Sequence, residues 1–348
     1  MSGIPCEGIR DVLARLCWSF VVTLSAVAVL AADAVVIEPL VGRQIFPSSN
    51  WWNEDVTLAS VDPGSPQIID WISGRTSSNP TAVRRLHPDF GPPPYGIPYV
   101  VVSGDTPRVM PAFDYDDESD SGVSDLPGYP IPEQAKTTPN FIEGGVAGGG
   151  ASGDRHLLIV DRDRNLLYEL FATEWNATMN RWDAGSGAIF DLAANDRRPE
   201  GWTSADAAGL AILPGLVRYD EAFGSGEITH AFRMTTRATN GYVWPASHRA
   251  GSTAGAPPLG ARLRLKASKD ISGFTPEVQR IFRAMKRYGL IVADNGSDMY
   301  VSGTMDARWD NSVLNPAFRA LTADDFEVIT LGWGRIKPTP PTNLRIIR

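Results

Sequence analysis

The sequence predicts a mainly β fold, a β-sandwich of jelly-roll-like form or a barrel, with one long amphipathic helix near residues 276–288. Three observations carry this. Short apolar or alternating segments recur between glycine and proline punctuation, and 33 Gly with 27 Pro in 348 residues is a turn density suited to strands rather than to a helix bundle. A hydrophobic content of 43% supplies a core and excludes wholesale disorder. Only one long segment carries a clear helical stripe.

The chain opens on an export signal. Residues 17–30 read CWSFVVTLSAVAVL, uncharged and too short for a comfortable membrane span. Small residues follow, placing cleavage between Ala31 and Ala34 and making residues 1–31 a signal peptide. Glu7 and Asp11 cancel Arg10 and Arg15, so the leading region is not basic, and an uncleaved anchor is the alternative. Cys6 and Cys17 both lie in this segment, so the mature chain has no disulfide, no cysteine metal site and no cysteine nucleophile. The formal charge of −8 argues against a nucleic-acid partner, which needs a basic face. The expectation is a secreted monomer, extracellular or periplasmic, with no membrane contact after cleavage.

Residues 35–335 read as a single β-rich domain. Strands are expected at Ile97–Val102, His156–Arg162, Leu166–Phe171, Ala188–Leu192, Ile228–Thr235, Ala261–Lys266 and Asp298–Val301. The stretch HLLIVDRDRNLLYELF places two apolar arms around a charged turn, a hairpin signal. Ala261–Lys266 alternates strictly and predicts one wet face. The Gly-rich stretch 144–153 reads as a flexible loop rather than a linker. A short helix is expected at Pro66–Ile72. The long helix starts with Thr275 as cap, Pro276 in the first turn and Glu277 in the dipole's favour, and its stripe is Val278, Ile281, Phe282 and Met285. Gly289 stops it, and a buried strand follows at Leu290–Ala293. Residues 336–348 form a Pro-rich tail, resembling the opening of a fibronectin type III module, a linker remnant not needed for folding.

Chemistry is sought first at the four histidines, 87, 156, 230 and 248. His230 shares a strand face with Ile228, Phe232 and Met234, as a base, acid or ligand in a cleft or as a core histidine bonded to backbone. His156 follows Asp154 at a strand start. The densest motif is GWTSADAAGLAILPGLVRYDE, residues 201–221. Asp206 stands among small residues that permit close approach, and desolvation would raise it toward a general acid. With Glu221 it makes a carboxylate pair of the kind glycoside hydrolysis uses. The structural alternative is a capping Asp206 and a solvated Glu221. Leu210–Leu213 is read as a rigid strand behind the motif. Glu169, on a strand face with Leu167 and Phe171, is either paired with an arginine or functional.

Residues 114–125 hold six acids, a solvated loop or a Ca2+ site; Asp294 and Asp298 are a second, weak metal candidate. Ten tryptophans, many near turn residues, point to a sugar-stacking surface, with Trp182, Trp202, Trp244 and Tyr242 as its candidates.

The strings LHPDFG, YGIPYVVV, GDRHLLIVD, AGSGAIFDL, RPEGWTSADAAGLAILPGLVRYDE, ITHAFRMTT, YVWPASH and YGLIVADNGSDMYVSG together resemble an uncharacterised family of secreted bacterial proteins, sometimes joined to fibronectin type III or carbohydrate-binding modules. The resemblance covers roughly residues 46–326. It implies secretion and an extracellular role and carries over no catalytic residue. The expected function is a secreted carbohydrate-active protein, a glycoside hydrolase acting on a neutral polysaccharide, with Asp206 and Glu221 as acid pair and His156 or His230 assisting. Three alternatives stay open. They are a lyase using His230 and Tyr242, a non-catalytic glycan- or wall-binding protein, and a metal-dependent hydrolase with Asp154, His156 and His230 as ligands.

Overall fold

A computed structural model describes residues 34–40, 43–124, 126–334 and 346–347 of the chain. The expected signal peptide lies outside the described residues, as does most of the tail. No helix among the described residues is long and apolar enough to cross a membrane.

Strand outweighs helix, 26% to 16%, and the strands form mixed sheets. A five-stranded sheet runs in the order Val35–Val36, Tyr99–Val102, Leu157–Asp161, Leu166–Phe171, Ser186–Asp191. Its centre is the hairpin read from the sequence, with Ile159 opposite Tyr168. The turn closes because Asp161 Oδ1 accepts the Asp163 and Arg164 amides, at 3.2 and 3.0 Å, and Asn165 takes a positive φ of 57°. A six-stranded sheet runs Phe326–Val328, Arg262–Leu265, Leu290–Asn295, Phe232–Thr236, Tyr300–Ser302, His87–Asp89. Three neighbouring pairs in these sheets are parallel: Tyr99–Val102 with Leu157–Asp161, Phe232–Thr236 with Leu290–Asn295, and Tyr300–Ser302 with His87–Asp89. A jelly roll is antiparallel throughout, so that connectivity is not the one adopted.

The sheets share a core. Leu158, Val160 and Leu167 from the first sheet join Phe232, Met234, Leu263 and Leu290 from the second. The alternate residues Leu157, Ile159, Leu166, Tyr168 and Leu170 face a second cluster with Tyr129, Ile142 and Trp182. The hairpin is apolar at nearly every position because both its faces are covered. Glu169, on the main-core face, and Asp161, at the turn, are the charged exceptions, both with no exposure.

The helix Pro276–Arg287 buries Val278, Ile281, Phe282 and Met285. Thr275 holds the N-cap position without a side-chain cap hydrogen bond. A second helix spans Ser65–Ser73 and ends at Gly74 in the left-handed region. A third, Asn311–Arg319, carries Pro316 in its interior, which hides it from a pattern search; the Asp310 side chain caps it by accepting from Ser312 N.

Three expectations change. Arg262 does not face water: it is 6% exposed, because residues 51–54 fold over that side of the strand and offer it the carbonyls of Trp51 and Glu54. Burial there pulls its guanidinium down to about 10, against the attraction of Glu54. The Gly-rich loop is tied down, with Gly148 N bonded to Ala135 O and Trp175 N to Gly148 O, both at 2.8 Å. Within the tail, Ile346–Ile347 pair antiparallel with Gly122–Val123.

Candidate functional site

The motif at residues 201–221 builds a polar centre, in a way its composition did not foretell. Ser204 Oγ accepts the Asp206 amide at 2.9 Å and lies 2.6 Å from Leu210 O, fixing a tight loop. Gly209 has φ +71°, and a Cβ there would lie 2.0 Å from Ser247 Oγ. The small residues serve close packing of the chain on itself. Leu210–Leu213 is not a strand; the chain enters a 3-10 turn at Leu213–Gly215. The Ile212 and Leu213 amides donate to Glu169 at 2.8–2.9 Å. Glu169 thus has backbone partners and no arginine, and burial pushes it up to about 7 against those two donors.

Asp206 is a correction. It is 1% exposed, and Arg233 grips its carboxylate at both ends, Nε to Oδ2 and Nη2 to Oδ1, each 2.8 Å. A carboxylate held bidentately inside the protein is an anchor for that guanidinium, not a proton donor. Arg233 also donates to Ser302 Oγ at 2.7 Å and Asp294 Oδ2 at 2.9 Å. Its strand, Phe232–Thr236, is central to the larger sheet, which brings the loop before Gly209 and the end of Leu290–Asn295 to one guanidinium.

His156 is 2% exposed, with Nδ1 2.6 Å from Glu143 Oε2 and Nε2 3.1 Å from Ala205 O. Both ring nitrogens face acceptors, so both carry protons and the ring is an imidazolium. Burial opposes the charge, but Glu143 overrides it and holds His156 up at about 9. Glu143 is held low, burial being outweighed by that ring. The expected role of His156 as a free base is therefore excluded by its partners. Ligand atoms of Glu143, Asp154 and His156 lie within 4.8 Å of one another, a group able in geometry to hold a metal ion. A metal would have to displace the proton now shared in that cluster.

Beside this centre lies a cleft of about 380 Å³, lined by Tyr115, Glu118, Asp154, Phe171, His248 and Asp294 among others. Burial raises Asp294 to about 6, with Arg233 pulling down and Asp206 pushing up. Asp89, water-accessible but crowded on several sides, is also raised by desolvation, with Arg233 opposing it. His248 also lines this cleft. Its Nδ1 lies 2.9 Å from Ala207 O, an acceptor only, so Nδ1 carries the proton and a neutral ring keeps its Nε2 lone pair free. Only the fold brings Ala207 to it; no spacing in the sequence signals this.

The other expected residues fall elsewhere. Glu221 and His230 line a different cavity, of about 360 Å³, with Arg43, Arg218 and Asp220. There Glu221 bonds Arg218 and, at 3.0 Å, His230 Nε2, while His230 Nδ1 faces Ala231 O at 2.9 Å. Asp206 and Glu221 are thus not a pair across one cleft. Asp298 is not a cation ligand: it is 5% exposed and taken by Arg237 at 2.7 Å and Arg84 at 3.5 Å. Asp294 likewise faces Arg233. The acids of residues 114–125 diverge, Asp120 pairing with Arg198 in the interior and Glu118 accepting Thr203 N at 2.8 Å.

Trp182 is 3% exposed and packs on Trp175 in the second core, so it meets no ligand. Trp202, Trp244 and Tyr242 are half-buried; Arg198 lies over Trp202, while Arg197 lies over Trp244 and bonds Glu200, which accepts from the Tyr242 hydroxyl. Ser247 Oγ bonds Trp202 O at 2.9 Å, one residue before His248, so this group adjoins the cleft. Compared with protein-family models, curated proteins and solved structures, the chain finds no match.

Proposed function

We propose that the protein is a secreted carbohydrate-active enzyme of the family it resembles, a glycoside hydrolase using carboxylate acid/base catalysis in the Asp154–His248–Asp294 cleft. One observation carries this reading: a carboxyl raised to about 6 by burial lines the same cleft as a water-accessible carboxylate, Asp154. A carboxyl raised by burial and a second, exposed carboxylate in one cleft are the two groups that hydrolysis of a glycosidic bond uses. Asp294, protonated, donates to the leaving oxygen. Asp154 attacks or activates water, and His248 Nε2 accepts a hydrogen bond from a sugar hydroxyl. Tyr115, 52% exposed, and Phe171 offer apolar surface to a ring. The acidic lining favours an uncharged sugar at the reacting position. The two mixed sheets across their shared core form a sandwich-like support for these loops.

The test is hydrolysis of neutral polysaccharides by Asp294→Asn and Asp154→Asn, each expected to lose about 10²–10⁴ in rate with melting unchanged. Activity should fall as pH rises through about 6, where Asp294 gives up its proton. Full activity in both variants refutes the assignment, and retention of an unhydrolysed glycan by the wild type would establish the binding alternative. A second reading rests on the Glu143, Asp154 and His156 donors. If a divalent ion operates there, calorimetry with Zn2+ or Ca2+ should show one site, lost in His156→Gln, and chelation should lower the melting temperature. Secretion is tested by the mass of the exported protein, with a new N-terminus expected between Ala31 and Ala34.

A further inference from the structure

A further concavity, of about 430 Å³, opens beside the Asp154–His248–Asp294 cleft and has the opposite charge. Arg84, Arg85, Arg237 and Arg319 line it, and Asp298 is the one carboxylate among its lining residues. That carboxylate is buried under Arg237 and Arg84. In a chain with 40 acidic and 32 basic residues, four guanidiniums against one acid is a local reversal. The arginines are also positioned. Arg237 stacks on Trp71, 3.6 Å from the ring centroid, and donates to Trp71 O at 2.6 Å. Arg85 Nη1 donates to Arg319 O at 2.8 Å, a neutral partner that orients the group without cancelling its charge. Arg319 makes no side-chain hydrogen bond among the described residues, and Arg85 and Arg319 are both exposed.

The two concavities share one turn. Asp294 and Asn295 line the acidic cleft, and Gly296, Ser297 and Asp298 line the basic pocket. From Asn295 to Ser297 the chain spans at most about 7 Å. His87, on the strand His87–Asp89, lines the basic pocket and stacks 4.3 Å from Tyr300.

We propose that this pocket is an anionic subsite, taking a carboxylate or sulfate group carried by a sugar next to the reacting one. Exposed guanidiniums present paired N–H donors that match an oxyanion bidentately. An acid-lined cleft repels the same group and so sets which sugar sits where. The link to catalysis rests on the cleft reading above; the anion pocket stands apart from it.

The test is calorimetry on the purified protein at low and physiological ionic strength. The probes are sodium sulfate, a neutral tetrasaccharide carrying a single uronic acid residue, its carboxyl-reduced counterpart and the same neutral tetrasaccharide carrying a single sulfate ester. At least one acidic glycan should bind about tenfold or more tighter than the reduced one, with salt weakening the difference. Preference for the uronate or for the sulfate ester identifies the source of the anion. Arg85→Gln with Arg319→Gln should erase the preference while leaving the melting temperature unchanged. Equal binding of acidic and reduced glycans overturns the proposal, as does a preference that survives the double variant. Acidic-glycan binding without hydrolysis of any glycan would sink the catalytic reading and leave the subsite intact. Hydrolysis without acidic preference would do the reverse.

Discussion

Replacing Arg233 by Met is the sharpest perturbation of this fold. The guanidinium is 4% exposed and neutralises Asp206, which is 1% exposed, while also bonding Asp294 and Ser302. Methionine keeps much of the volume but strands a carboxylate in the interior. Breaking a buried pair by removing one partner costs about 3–5 kcal/mol. With an unfolding entropy of about 2.1 cal/mol/K per residue over about 300 ordered residues, a loss of ~4 kcal/mol lowers Tm by roughly 6 °C. Differential scanning calorimetry at pH 7 measures this directly. Adding Asp206→Leu should recover much of the loss, because two apolar groups leave no uncompensated charge. An Arg233→Met protein that melts within 1–2 °C of wild type, a tolerance of about 1 kcal/mol on the same scale, would refute the anchoring role of this pair.

Gly209→Ala should cost about 3 kcal/mol or more, since it combines a left-handed backbone with a clash on Ser247 and Trp202 O; urea unfolding at constant m-value checks it. The His156–Glu143 pair predicts a pH dependence. His156 is raised in the folded state, so its contribution is complete below about 6.5 and lost as pH rises through about 9. Melting temperature should therefore decline across that window in wild type, and His156→Asn should flatten that part of the curve. Ile281→Asp should cost about 3 kcal/mol or more by placing a charge in a fully buried stripe, and unchanged melting would put that face in solvent.

Much of the local structure was legible because it answers to local physics. The turn after Asp161 needed only its own residues, and the helix at Pro276–Arg287 only its apolar stripe and its stops. The strand Arg262–Leu265 was placed correctly, but its wet face was not, because the cover comes from residues 51–54, some two hundred positions away. The site shows the same division. The sequence singled out Asp154, Asp206 and Asp294, and all three lie at or beside one polar centre. Their roles were invisible, since a carboxylate's chemistry is set by what stands opposite it. Arg233 reaches Asp206 across 27 positions and turns the expected acid into an anchor. Glu143 reaches His156 and turns an expected base into a cation. His248 gains its free nitrogen from Ala207, 41 residues away. Residue types and periodicities determined the composition of core, turns and charge. Which charges meet, which are buried and which are left facing a cleft was decided only when the sheets closed, because protonation and hydrogen bonding depend on three-dimensional neighbours and not on the order of the chain.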